Sequence, residues 1–169
     1  MIEKMCIRRF QNGDEAEVSD VICTTLSISN RNDYPPEFIQ ENIESHSPEV
    51  IKERAEESHF YVVTADDKII GCGGITGYWG STTESYLTSI FVLPQYQHCG
   101  IGKRIMETLE ADEYFKRAWR TEIGSSLTAV EFYRKLGYQY KNNITSPDEY
   151  GVVRLEKITG SQPGETKEE

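Results

Sequence analysis

No stretch of about 18 consecutive apolar residues occurs in the chain, so no membrane-spanning helix is expected. The opening Met-Ile-Glu-Lys-Met-Cys also lacks the basic segment and following apolar run of a secretory leader. These two absences set the expectation of a cytoplasmic protein with no membrane partner. Cys6, Cys23, Cys72 and Cys99 include no close pair, and His46, His59 and His98 are dispersed. Neither zinc-type spacing nor a redox pair is present, so reduced thiols and no metal are expected. Positive charge is scarce too: 18 Lys and Arg stand against 28 Asp and Glu, a net charge of −10. Binding a nucleic-acid backbone needs clustered Lys and Arg, so nucleic acid is excluded as the main partner, and an uncharged or cationic ligand is easier to accommodate. No repeat and no second domain emerge. Residues 1–159 are expected to form one domain, and Gly160–Glu169, which contains no apolar residue, a disordered tail.

What is present is ordinary globular material, 37% hydrophobic and 27% charged over 169 residues, enough for a sheet covered by helices. Cys6–Phe10 reads as a first strand. Asp14 is placed to cap a helix in which Val18, Val21, Ile22 and Leu26 recur at three- and four-residue spacing. Asn30–Pro36 is turn-rich, and its prolines suit the start of a new helix. Two helical patterns follow within Glu37–Glu57, the second opened by Ser47-Pro48. That segment holds seven glutamates against Lys52 and Arg54. It reads either as a solvated helical face or as an acidic wall that attracts a cationic substrate.

Phe60–Thr64 and Lys68–Ile75 flank Asp66-Asp67 as a hairpin. Glu84–Leu93 reads as a strand with Glu84, Tyr86, Thr88, Ile90 and Val92 on one face and Ser85, Leu87, Ser89, Phe91 and Leu93 on the other. Trp119–Ile123 is a further strand, Leu127–Leu136 a helix ended by Gly137, and Tyr138–Lys141 and Gly151–Lys157 two last strands. Between them, Ile90–Gly102 organises the chain. Pro94 cannot donate to a ladder and stops the strand, while Gly100 and Gly102 open a helix marked by Ile101, Ile105 and Leu109. The unpaired first amides of such a helix suit a phosphate. The dipole contribution is about 0.3–1 kcal/mol when exposed.

The run Gln97-His98-Cys99-Gly100-Ile101-Gly102-Lys103 resembles the acyl-CoA-binding motif of the GNAT superfamily, the Gcn5-related N-acetyltransferases. The preceding Ile90-Phe91-Val92-Leu93-Pro94 looks like that family's strand ending in Val-x-Pro. Ala129-Val-Glu-Phe132-Tyr133-Arg-Lys-Leu-Gly137-Tyr138 resembles its later Ala-x-x-Phe-Tyr-x-x-x-Gly-Phe pattern. The resemblance in element order covers roughly Cys6–Lys157. It implies an α/β GNAT fold, a mixed and strongly twisted central sheet with helices on both faces, splaying beyond Val92 where the cofactor arm inserts.

The resemblance also implies roles. Gln97, His98, Cys99, Gly100, Ile101, Gly102 and Lys103 form the pyrophosphate cradle of acetyl-CoA, and Phe91, Val92 and Leu93 pair with its pantetheine arm. The N–H of Phe91 or Val92 polarises the thioester carbonyl. Tyr133 stands where many members carry the acid that protonates the departing thiolate, with packing as its other reading. The position of the family's base carboxylate is Tyr86 here, so Glu84, two residues earlier on the same face, is the candidate base. Ser126 occupies a position where the family often has a cofactor-contacting Asn, and hydrogen-bonds with shorter reach. The implied activity is acetyl transfer from acetyl-CoA to a primary amine of a small molecule or peptide in a ternary complex. Homodimerisation is common in the family. A noncatalytic acyl-CoA sensor or interaction module is the alternative, and Gly-x-Gly-Lys is too short for a phosphate-loop nucleotide site.

Overall fold

Seven strands form one sheet in the order β1-β2-β3-β4-β5-β7-β6 in a computed structural model that describes residues 4–164. β1 (Met5–Arg9), β2 (His59–Ala65), β3 (Lys68–Gly77) and β4 (Glu84–Val92) form an antiparallel run. β4 then pairs in parallel with β5 (Arg120–Ser125), and β7 (Val153–Ile158) lies antiparallel between β5 and the short β6 (Gln139–Tyr140). A parallel pair requires a crossover, here supplied by α4 (Ile101–Glu110) and α5 (Glu113–Lys116). The remaining helices are α1 (Glu15–Ile28), α2 (Pro36–Glu44), α3 (Pro48–Glu57) and α6 (Val130–Lys135). The expected mixed sheet with helices on both faces is what the chain adopts.

Local chemistry explains most boundaries. Asp66 and Asp67, at φ 50° and 67°, make the tight β2–β3 turn. Pro36 and Pro48 both stand in the first turn of their helices, where a missing N–H costs nothing, and Ser47 accepts from the Val50 N–H at 3.4 Å. Asp14 does not cap α1 as expected. Its carboxylate is taken by the Arg8 guanidinium at 2.7 and 3.1 Å and by the Gln11 N–H at 2.8 Å. The helix expected from Leu127 begins only at Val130, after a turn in which the Ala129 N–H bonds to the Ser126 carbonyl. Gly137 ends it at φ +96°. α5 is too short to show a helical period in the sequence; Asp112 starts it by accepting from the Tyr114 N–H at 2.9 Å.

Two apolar clusters sandwich the sheet. On one face Ile101, Ile105, Met106 and Leu109 of α4 meet Ile75, Leu87, Ile123 and Leu155, with Val130 and Tyr133 from α6. On the other, Val18, Ile22 and Leu26 of α1 and Ile51 of α3 meet Phe60, Val62 and Cys72. Gly73 is obligatory at the first interface, since a Cβ there would lie 2.7 Å from Ile105 Cγ2.

β4 departs from simple alternation. Thr88 pairs with Gly74 and Phe91 with Cys72, so Ser89 and Ile90 together oppose Gly73, and Ser89 takes φ +58°. The extra residue reverses the inward face. Leu87 belongs to the α4-side cluster, whereas Phe91 packs on the α1 side, so they do not share a face as the sequence pattern predicts. Pairing of β4 with β5 also stops earlier than expected: it runs from Glu84–Arg120 to Leu87–Ile123 and ends there. The strands part at Thr88, not beyond Val92. Of the tail, residues 160–164 are exposed and in neither helix nor strand. Residues 165–169 lie outside the described residues.

Candidate active site

The gap between β4 and β5 exposes main-chain groups of known direction. The Leu93 N–H bonds to the Ile70 carbonyl of β3 at 2.9 Å, and the Phe91 N–H lies against the Cys72 thiol, also toward β3. Alternation along the strand then turns the Val92 N–H and C=O to the open side. The Val92 carbonyl accepts from Gln97 Nε2 at 2.9 Å and Thr25 Oγ1 at 3.3 Å. Of the two amides suggested by the sequence, Val92 faces the gap and Phe91 does not.

Beyond it, Pro94–Tyr96 forms a single 3-10 turn and the chain enters α4 through His98 at φ +60° and Gly100 at φ +81°. The Gln97 N–H bonds to the Pro94 carbonyl, and its side chain ties β4 to Ser29 at the end of α1 at 2.9 Å. Gln97 therefore shapes the loop and has no free donor on its main chain. The N–H groups of His98, Cys99, Gly100, Ile101, Gly102 and Lys103 have no hydrogen-bond partner among the described residues, the first intrahelical bond being Arg104 N–H to the Gly100 carbonyl. Six adjoining amides at a helix N-terminus form an anion cradle. Nothing lies within 4 Å of a Cβ built on Gly100, which leaves the backbone approachable. Lys103 is exposed in the first turn. The cradle fits a pyrophosphate.

α6 closes the back of this region. A Cβ on Gly102 would lie 3.1 Å from the Phe132 ring, so the first turn of α4 and α6 are in contact. Tyr133 is 5% exposed beside Phe132 and Tyr138, and burial pushes its phenol well above the ordinary tyrosine range. Ser126, half-buried at the end of β5, uses its carbonyl to receive Ser125 Oγ and the Ala129 N–H. Cys99 is exposed, with its thiol toward the Gln97 carbonyl at 3.4 Å.

The opposite sheet face carries a polar floor. Tyr86 pairs with Glu122, and its hydroxyl lies 3.1 Å from a Cβ built on Gly124, at the point where β4 and β5 separate. Arg154 Nη1 donates to that hydroxyl at 3.2 Å. Tyr86, Thr76, Gly77, Trp79, Tyr150 and Arg154 line an open cleft of about 440 Å³. Trp79 is 76% exposed at φ +41°. Beneath the cleft, buried Glu122 is bound by Arg120 and by Lys141 at 2.6 Å, with Arg154 at 3.7 Å. Glu84 lies in this network, paired with Arg120 at 3.3 Å. It stands six residues before Ile90, roughly 20 Å of strand. The structure does not bring Glu84 together with Val92, Tyr133 and the cradle.

Arg54 carries no motif that singles it out in the sequence. Its Nη1 donates to Ser89 Oγ at 2.7 Å at the bulge, and burial lowers its pKa. The seven glutamates around it are all exposed, so the segment presents acid to solvent and a cation to the sheet. The signal was available: Ile51, Arg54, Ala55 and Ser58 recur at helical spacing on the inward face. The cleft is closed at one side by the β6–β7 connection, where Gly151 sits so tightly against Tyr34 and Phe38 that a Cβ would approach them to 3.1 and 2.9 Å.

Residues 56–140 match the family described as acetyltransferase (GNAT) domain. An uncharacterized acetyltransferase of Streptococcus pyogenes is 38% identical over 68 residues, 40% of this chain and 47% of that protein. The chain thus matches about half the length of this curated relative. Among solved structures, the PaiA N-acetyltransferase of Thermoplasma acidophilum in complex with coenzyme A superposes with a TM-score of 0.79 at 19% identity, covering 92% of this chain and 99% of that one. A GCN5-related N-acetyltransferase of Rhodopseudomonas palustris gives 0.76 at 16% identity, covering 94% and 98%. At these identities the likeness is one of fold.

Proposed function

This chain belongs to the GNAT acetyltransferase family, and from that premise we propose that it transfers an acetyl group from acetyl-CoA to a primary amine by direct attack in a ternary complex. The observation that carries the reading is the adjacency of two features: six unpartnered amides from His98 to Lys103, and the unpaired edge of β4 beginning at Thr88. The first holds a pyrophosphate, and the second accepts an extended amide-containing arm as a strand accepts a neighbour. Acetyl-CoA, when bound, supplies an acyl group activated on sulfur.

The chain's own groups do the rest. The fixed Val92 N–H faces the gap and stabilises negative charge developing on a carbonyl oxygen held there. Tyr133, kept neutral by burial, gives its proton to the departing thiolate, and the proton lost by the attacking neutral amine as the amide forms returns to the phenolate, so the cycle closes on free CoA thiol and acetylated product. The acceptor enters from the cleft floored by Tyr86, whose hydroxyl, held by Arg154, orients the incoming amine. We assign Glu84 to the charge network around Arg120 and not to proton abstraction.

The test is calorimetric titration with CoA together with release of free CoA over an amine panel. Gly100→Val places a β-branched residue at φ +81° and a side chain over the cradle, so CoA binding should fall at least 100-fold. Wild-type protein that binds CoA but accelerates its release with no amine would instead identify a noncatalytic acyl-CoA sensor.

A further inference from the structure

We infer that Arg54 selects the acceptor: the amine substrate carries a carboxylate, as an amino acid or a peptide terminus does, and the Arg54 guanidinium binds it beside the β4 bulge. This rests on the proposed acetyl transfer and names the substrate class of the same site.

A guanidinium has five N–H donors. Arg54 uses one described side-chain contact, to Ser89 Oγ, and forms no ion pair among the described residues. Every other arginine on this sheet face is compensated: Arg120 by Glu84, Glu122 and Glu156, and Arg154 by Asp148 and Glu122. A partly buried cation without an anion is costly, and a carboxylate that arrives with a ligand removes the penalty.

Position supplies the second part. Ser89 is the bulge residue, and immediately after it the strand presents the edge that faces the gap. The Cys72 thiol, on β3 under the bulge, donates to the Ser89 carbonyl at 3.1 Å, so Ser89 is held by β3 on one side and by Arg54 on the other. Burial, with Arg54 as a smaller contribution, disfavours protonation of His46, whose ring edges onto Phe91 6.0 Å away, so no second cation competes there. An acceptor with its amine at the gap and its carboxylate on Arg54 would be oriented at two points. The acidic wall suggested by the sequence points outward, so the local charge selects the opposite sign of group from the one first expected.

The test uses full-length protein and matched pairs of amino acids and their amides. Each is titrated into CoA-loaded protein by calorimetry and assayed for acetyl transfer from acetyl-CoA. Wild type should prefer the acid over the amide by roughly 10- to 150-fold, the scale of hydrogen bonds to a charged group. Arg54→Gln should erase the preference, while Arg54→Lys keeps part of it. Ser89→Gly removes the hydroxyl at a positive-φ position and leaves the cation, so the preference should survive. An amide that binds as well as its acid overturns the inference, as does a preference that persists in Arg54→Gln or disappears equally in Ser89→Gly. A binding preference without any acetyl transfer would defeat the proposed reaction and leave the Arg54 assignment standing.

Discussion

Replacing Tyr133 with Phe separates chemistry from packing more cleanly than any other single change. The side chain is 5% exposed, and its hydroxyl makes no hydrogen bond among the described residues, while the ring packs against Phe132 at 5.0 Å and Tyr138 at 6.2 Å between centroids. Phe keeps those ring contacts. Among the described residues the buried polar side-chain atoms left without a partner are Thr121 Oγ1 and Tyr138 OH, not the Tyr133 hydroxyl, so its removal relieves no buried orphan and the unfolding temperature should stay nearly constant. CoA affinity should stay within about twofold, because the cradle amides belong to residues 98–103. Loss of the proton donor should nevertheless lower kcat by about 100- to 1000-fold, or roughly 2.7–4 kcal/mol of barrier. Steady-state kinetics, calorimetric CoA titration and thermal unfolding on the same preparations make the comparison. Burial raises the Tyr133 pKa, so the phenol stays protonated through the neutral and mildly alkaline range. Any alkaline limb in kcat within that range should therefore sit at the same pH in wild type and in Tyr133→Phe. A kcat within threefold of wild type, with unchanged CoA binding, would refute the role and leave Tyr133 a packing residue.

Glu84→Gln should change kcat by less than about threefold and cost about 0.2–1 kcal/mol, because Arg120 retains Glu122 and Glu156; a 100-fold loss with a shifted acid limb would restore Glu84 as the base. Stability should fall as pH rises through the alkaline range. Burial pushes the Cys72 thiol from 9.0 up to about 12, a raised folded pKa, so its contribution is intact below pH 9 and is lost between pH 9 and 12. The loss should reach about 2 kcal/mol by pH 10.5. Urea unfolding of Cys72→Ser, which keeps a donor toward the Ser89 carbonyl, should show a shallower decline; identical slopes would show that the thiol does not titrate as its burial requires.

Much of this molecule is legible without its fold. Pro94, Gly100 and Gly102 announce a strand that stops and a helix that opens with bare amides, and the Ile101-Ile105-Leu109 stripe supplies the helix that buries behind them. Asp66-Asp67, Pro36, Ser47-Pro48 and Gly137 mark turns and ends by local sterics and hydrogen bonding. Those signals act over a few residues, so the helix-opening loop and the identity of most elements can be read along the chain. Other features depend on partners far away in the chain. The bulge at Ser89 adds one residue against Gly73, and no period within β4 reveals it; it alone puts Leu87 and Phe91 on opposite faces and sets where β4 leaves β5. That Glu84 pairs with Arg120 follows from the β4–β5 register, and that Arg54 turns toward Ser89 while its glutamate neighbours stay in water follows from the packing of α3 on the sheet. Backbone propensity is written locally, but the pairing of a charge requires a second element to arrive, and long-range register chooses which one does.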